Sequence, residues 1–129
     1  METRFRRDLI AWLRADAVLA AGCNAIEEES PLAATAPWIG LAASAASEWG
    51  GKGAPGREVR VALELVDRSD DAAATAALVD ALETRIATMP ASQDGYRLVV
   101  TRFLRSRAER RARGMRVVLM EYGFKILKT

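Results

Sequence analysis

The sequence has no histidine, a single cysteine, and aromatic residues at only 6% of its positions. The missing imidazole removes the commonest general base, the orienting member of a nucleophilic triad and the usual nitrogen ligand of a metal. The lone thiol, Cys23, excludes an internal disulfide framework and fits a reducing compartment, where it reads as a small buried hydrophobe. As a nucleophile it would need a base, and the nearby Glu27, Glu28 and Glu29 would raise its pKa, not lower it. Metal ligation has only carboxylates to draw on, and "EEE" followed by Ser-Pro reads as a solvated connector. No spacing singles out a carboxylate pair for hydrolysis. The expectation is a protein without catalytic residues, cofactor or metal, and so not an enzyme.

Net charge and long apolar runs are also scarce. Against 17 acids stand 19 bases, 16 of them arginine, for a net charge of +2; charge alone gives no argument for nucleic-acid binding. The apolar run "LIAWLRADAVLAA" is interrupted by Arg14 and Asp16, too short and too charged for a signal h-region or a membrane span. Arg6-Arg7 is no useful twin-arginine signal, and the cytoplasm is the default location. At 129 residues and 50% hydrophobic, the chain is expected to be one domain, 1–129, burying roughly two-thirds of its unfolded surface.

Phe5, Leu9, Trp12 and Leu13 recur at helical spacing, which predicts an amphipathic helix within residues 3–21, opened by Thr3. Asp16 is suited to cap a further turn carrying Val18 and Leu19, and Gly22 to end it. After the acidic connector "IEEESPLAATA", the segment "PWIGLAA" from Pro37 to Ala43 reads as a strand entering a core, with Pro37 at its start or on an edge. Residues 50–56 then hold four glycines and a proline, which predicts a long flexible loop. Lys52 lies among those glycines, but no Gly-Lys-Ser/Thr occurs and a strand follows, so a phosphate-cradling loop is disfavoured.

Val59, Val61, Leu63 and Leu65 alternate with Glu58, Arg60, Ala62 and Glu64, the pattern of a half-buried strand. "DRSDDAAATAALVDALETRIATMP" predicts a helix capped by Ser69 or Asp70, with a core stripe of Leu78, Val79, Leu82 and Ile86, ending before Pro90. Two strands follow, at about Tyr96–Arg105 and Met115–Leu127. The order α-β-β-α-β-β implies an α+β fold, a mostly antiparallel sheet of about four strands packed by helices.

Seven arginines lie between Arg102 and Arg116, against the single acid Glu109. "SRAERRARG" has no apolar face to dock a helix, so residues 105–114 read as an arginine-rich turn. Three readings stand: a solvated hairpin tip, a contact with a protein partner or neighbouring subunit, or a phosphate-binding patch. Phe103 is the only ring in the tract, and its strand position suggests core, not base stacking.

Taken in order, "LRADAVLAA", "APWIGLAASAASEWGGKGAPGREVRVALELVD" and "GYRLVVTRFLRSRAERRARGMRVVLMEYGFKI" resemble the tail completion, or tail terminator, family of long-tailed phages, prophages and gene transfer agents. The resemblance covers nearly the whole chain. It implies a structural protein that forms a homo-hexameric ring on the tail tube, stops tube polymerisation and presents the surface to which the head attaches. The partners implied are further copies of the chain, the tail tube protein, a head-tail connector or stopper protein, and DNA passing through without sequence readout; no membrane is involved. Made in the cytoplasm, the protein would end at the head-tail junction of a particle. The glycine-rich segment and the arginine tip would order on a neighbour, through Trp49, Gly51, Lys52 and Arg57 at one and Arg105, Arg107, Arg110, Arg111 and Arg113 at the other. A head-side connector and a small nucleic-acid-binding module are the alternatives.

Overall fold

The alternation from Val59 to Leu65 places all four of those apolar side chains in the core. Around that strand the computed structural model, which describes residues 1–31 and 33–129, builds helices α1 (Glu2–Arg14), α2 (Ala17–Gly22) and α3 (Ala72–Ala87). The strands are β1 (Ala25–Glu27), β2 (Trp38–Gly51), β3 (Ala54–Asp67), β4 (Tyr96–Arg111) and β5 (Met115–Lys128). They form one sheet in the order β1-β2-β3-β5-β4. All neighbours are antiparallel except β1 and β2. The fold is α+β, as the pattern predicts, with five strands in place of four.

The extra strand lies in the acidic connector, where Ile26 is the one residue of the three that is buried. Three residues carry no periodic signal, and β1 exists because Trp38–Gly40 offers it a ready edge. Leu32 of the same connector lies outside the described residues.

Cross-strand partners share a face of the sheet. Val59, Val61, Leu63 and Leu65 pair with Phe124, Tyr122, Met120 and Val118 of β5, and this face is covered by Phe5, Leu9 and Leu13 of α1 and by Leu78, Leu82 and Ile86 of α3. Val79 of the expected stripe is only partly buried. The rings of Phe5 and Phe124 meet at 4.7 Å between centroids. Trp12 fastens the two helices, donating from Nε1 to the Arg85 carbonyl at 2.7 Å, with the Arg85 guanidinium stacked over its ring. On the opposite face the cover is slight: Trp38, Val66 and Val117 form a small cluster of their own.

Several boundaries move. The first helical segment breaks into α1 and α2, and α1 starts at Glu2 with Met1, not Thr3, in the capping position. Asp16 caps α2 as expected, accepting from the Leu19 amide at 3.0 Å. For α3 the cap is Asp71, which accepts from the Ala73 amide at 2.9 Å. Ser69 instead accepts from the Asp71 amide, and Asp70 is exposed.

The two expected loops are mostly strand. Gly50, Gly51 and Gly56 stay in the β2–β3 ladder, opposite Pro55, Ala54 and Trp49. Only Lys52 and Gly53 make the turn. At Gly56 the glycine serves close approach, not flexibility: a Cβ there would lie 2.6 Å from the Ile126 carbonyl oxygen and 2.7 Å from that of Trp49. Similarly, β4 continues through Arg111, and the turn is Ala112–Gly114, with Arg113 and Gly114 at φ of 66° and 72°. Backbone pairing with β5 holds this stretch extended whatever its side chains, which is why its lack of apolar alternation misleads.

Asp67 ends β3 and anchors the chain's entry to α3. Its carboxylate is almost fully buried and accepts from the Arg68 and Ser69 amides at 2.7 and 3.1 Å and from the Thr75 hydroxyl at 2.7 Å. Replacing Asp67 by Ala leaves three donors short of an acceptor, so urea unfolding should show a loss of roughly 2–4 kcal/mol. The exposed neighbour gives the contrast: Asp70→Ala should stay within about 0.5 kcal/mol of the parent.

Candidate interaction surface

Strand register divides the arginines. Arg105 and Arg107 pair with Glu121 and Leu119 of β5, and Glu64 of β3 lies opposite Leu119 in turn. These side chains share the face away from the helices. There Arg105 forms an ion pair with Glu121, Arg107 lies 4.0 Å from Glu109, and Arg111 reaches Glu109 at 3.0 Å and Glu64 at 3.1 Å. The carboxylates raise the pKa of both Arg105 and Arg111, chiefly through the hydrogen bonds that the guanidinium groups donate to Glu121 and Glu109 respectively. Further along, Lys125 sits over the Trp49 ring at 5.2 Å. The outer face is a ladder of alternating charge, not a basic patch.

Arg110 points the other way. It pairs with Arg116 and lines, with Ala108 and Val118, a groove against Ala72, Ala76 and Asp80 of α3. Among the described residues, Arg102, Arg110, Arg113 and Arg116 have no acidic partner within 4.0 Å. Arg102 lies on one face, Arg113 in the turn, and Arg110 beside Arg116 on the other face, where Arg116 donates to the Ser69 carbonyl at 3.2 Å, so the four do not make one array. Arg57 lies beside Glu2, at 3.7 Å, on the helix side.

The two turns do not meet either. Gly51 and Lys52 lie beyond the row that ends at Leu127, whereas Arg111 and Arg113 lie beyond the row that ends at Asp67 and Arg116. The strands between span roughly 40 Å at about 3.3 Å per residue. Of the expected residues, Trp49, Gly51 and Lys52 therefore sit at one corner of the sheet, and Arg107, Arg110, Arg111 and Arg113 at the corner diagonally across.

Two features escape the sequence reading. Phe103, expected in the core, is 47% exposed and rests edge-on against Tyr122 at 5.5 Å, because the helices stop short of β4. Val99 on the same strand is 44% exposed. The second is the stretch Ala42–Glu48, exposed throughout although it lies within β2. Small side chains give no hydrophobic alternation, so its extended conformation is silent in the sequence.

Cys23 is half-buried beneath this frame. Burial pushes its thiol up to about 11, and the Asp67 carboxylate adds to the shift; the glutamates at 27–29 are not among the causes. Tyr122 is likewise pushed up to about 12, by burial first and then by Glu83.

The chain belongs to a known family by comparison: the family model described as "Tail completion protein gp17" matches residues 7–126. No curated protein matches it. Among solved structures it is similar to a chain of "Virion of native gene transfer agent (GTA) particle", at 23% identity and a TM-score of 0.74 over 92% of this chain and 91% of that one.

Two outcomes test the assignment of side chains. Arg111→Ala leaves the buried Glu64 without its guanidinium and should cost roughly 1–3 kcal/mol in urea unfolding, while Arg110→Ala should cost no more than about 0.5 kcal/mol. Alkylation of Cys23 in the folded protein at pH 8 should run roughly 100-fold slower than that of an unperturbed thiol, since its thiolate fraction falls tenfold per pKa unit.

Proposed function

Because the chain belongs to the tail completion protein family, we propose that it forms a ring that closes the tail tube and joins it to the DNA-filled head. The single observation that carries this reading is the family match from residue 7 to residue 126, which takes in every strand of the sheet but the last residues of β5. The protein acts as a structural component of tail assembly and not as a catalyst. Its partners in this reading are further copies of itself in a hexameric ring, the tail tube protein on one side and the head-side connector on the other. It is made in the cytoplasm and ends at the head-tail junction.

The fold suits such a role. The sheet keeps two unclosed outer edges, and ring formation satisfies such edges without leaving a surplus one to aggregate. The arginines are better suited to protein than to nucleic acid, since Arg105, Arg107 and Arg111 already face carboxylates. DNA crossing the ring would meet charge without sequence readout. Protein contacts of this kind would use the turn at Lys52 and the arginine corner, where ordering on a neighbour adds charge-assisted hydrogen bonds.

Electron microscopy of particles from cells lacking the gene tests the reading. Filled heads should accumulate apart from tails of uncontrolled length. Unjoined heads beside tails of normal length would move the protein to the head-side connector. Intact, joined particles would overturn the assembly role and return the arginines to nucleic acid.

A further inference from the structure

We infer that neighbouring copies of this chain join head to tail by strand addition, the free edge of β2 on one copy pairing with the free edge of β4 on the next. The inference rests on the ring reading above and specifies the contact on which such a ring depends.

Each outer edge of the sheet is covered at one end only. On β2, the strand β1 pairs with Trp38–Gly40 and, among the described residues, leaves the outer edge of Leu41–Gly51 without a strand beside it. On β4, the segment after α3 folds back on the first residues: Leu98 donates to the Ala91 carbonyl at 2.7 Å, Gln93 donates to the Tyr96 carbonyl at 3.1 Å, and Ser92 bridges Arg97. Among the described residues nothing covers β4 from Val99 to Arg111.

The direction and level of the two edges agree. Each step from β2 to β3, β5 and β4 is antiparallel, so β4 runs opposite to β2. A second copy displaced sideways in the plane of the sheet therefore sets its β4 antiparallel to β2 and continues the alternation. The rows crossing the sheet run from Ala43 through Ala62 and Glu121 to Arg105, and from Ala45 through Arg60 and Gly123 to Arg102. Leu41–Ser47 of β2 thus stand level with Val100–Ser106 of β4, and both stretches are free.

The two edges are complementary in side-chain size, and the β2 edge carries no charge that would repel arginine. From Ala42 to Ser47, β2 carries only alanine and serine, with no lysine, proline or inward charge of the kind that guards an edge. At the same level the opposite edge carries the large side chains Arg102, Phe103, Leu104 and Arg105. Alanine and serine rows leave room for those side chains to lie across. Pairing β4 with a second β4 would instead place arginine opposite arginine, which is destabilising. A heterologous contact of this kind generates a ring when its rotation closes, whereas a symmetric contact stops at a dimer.

Cysteine pairing tests the contact in a Cys23→Ser parent. Ala45→Cys and Arg102→Cys are made in separate chains, with Ala43→Cys and Arg105→Cys and with Ser47→Cys and Val100→Cys as neighbouring registers. Each chain is oxidised alone and in mixtures, and rings are followed by sedimentation and electron microscopy, both free and in purified particles. The expected result is a disulfide between copies only when a β2 cysteine and a β4 cysteine are mixed. Chains carrying both cysteines should give a ladder of covalent oligomers. Ala45→Arg should reduce ring formation by at least about tenfold, by adding charge to an edge that must meet arginines, while Ala20→Arg on α2 should leave it unchanged. Rings that form without any β2-to-β4 disulfide in the three registers would overturn the contact and leave the ring reading standing. A disulfide from Ala45→Cys alone would also overturn it, in favour of a symmetric pairing. A parent that forms no ring, free or in particles, would overturn both.

Discussion

The structure depends on the pairing of β3 with β5, which runs without a break from Gly56–Leu127 to Asp67–Arg116. These two central strands bring Val59, Val61, Leu63 and Leu65 beside Phe124, Tyr122 and Met120, and the resulting apolar face is what α1 and α3 cover. A fully buried aliphatic or aromatic side chain contributes about 1.5–3 kcal/mol relative to exposure, and no other part of the chain concentrates so many. α3 combines the helix propensity of its alanines with four buried positions, Thr75, Leu78, Leu82 and Ile86, that dock it on the sheet.

A helix layer centred on β3 and β5 leaves the flanking strands incompletely covered, and this decides the character of the surface. Beyond Leu41, β2 is exposed on both faces up to the half-buried Trp49, and beyond Leu98, β4 has no buried residue. Backbone pairing to one neighbour and a few exposed side-chain contacts, such as Arg105 with Glu121 and Phe103 with Tyr122, hold these stretches. Small residues on β2 and long polar ones on β4 are two different answers to that exposure: the first presents little apolar area, and the second covers the sheet with arginine stems while the guanidinium groups stay in water.

How much of this was legible follows from the same division. Where a segment faces the core on one side, its period is visible, and β3, β5 and α3 were read correctly in kind from Val59–Leu65, Val118–Ile126 and the Leu78–Leu82–Ile86 stripe. Where a strand is exposed on both faces, as from Ala42 to Glu48 or from Arg105 to Arg111, no period exists to read, and those stretches look like loops. The glycines at 50 and 56 mislead for a related reason. Glycine marks both flexible chain and close backbone approach, and only the position of the Ile126 and Trp49 carbonyls beside Gly56 separates the two. The expected interface residues are placed by the fold at two diagonal corners, which sequence order alone, with Trp49 to Arg57 and Arg105 to Arg113 as two compact blocks, does not convey.

The arginine tract shows why local composition is a poor guide to its partner. Within residues 102–116 one acid faces seven bases, but two of the carboxylates that matter, Glu64 and Glu121, come from β3 and from later in β5. Their contribution exists only once the strand order is fixed. An exposed pair of this sort adds little stability by itself; its effect is to lower the local positive potential and to orient the side chains across the sheet. Counterion release scales with the number of cations that actually reach phosphate. Arg102, Arg110, Arg113 and Arg116, divided between two faces and a turn, present no array that a single backbone could follow. What remains along that edge, among the described residues, is a row of backbone amides and carbonyls without a strand partner, flanked by oriented guanidinium groups, a row that water satisfies in the free chain and that a second strand can satisfy in an assembly.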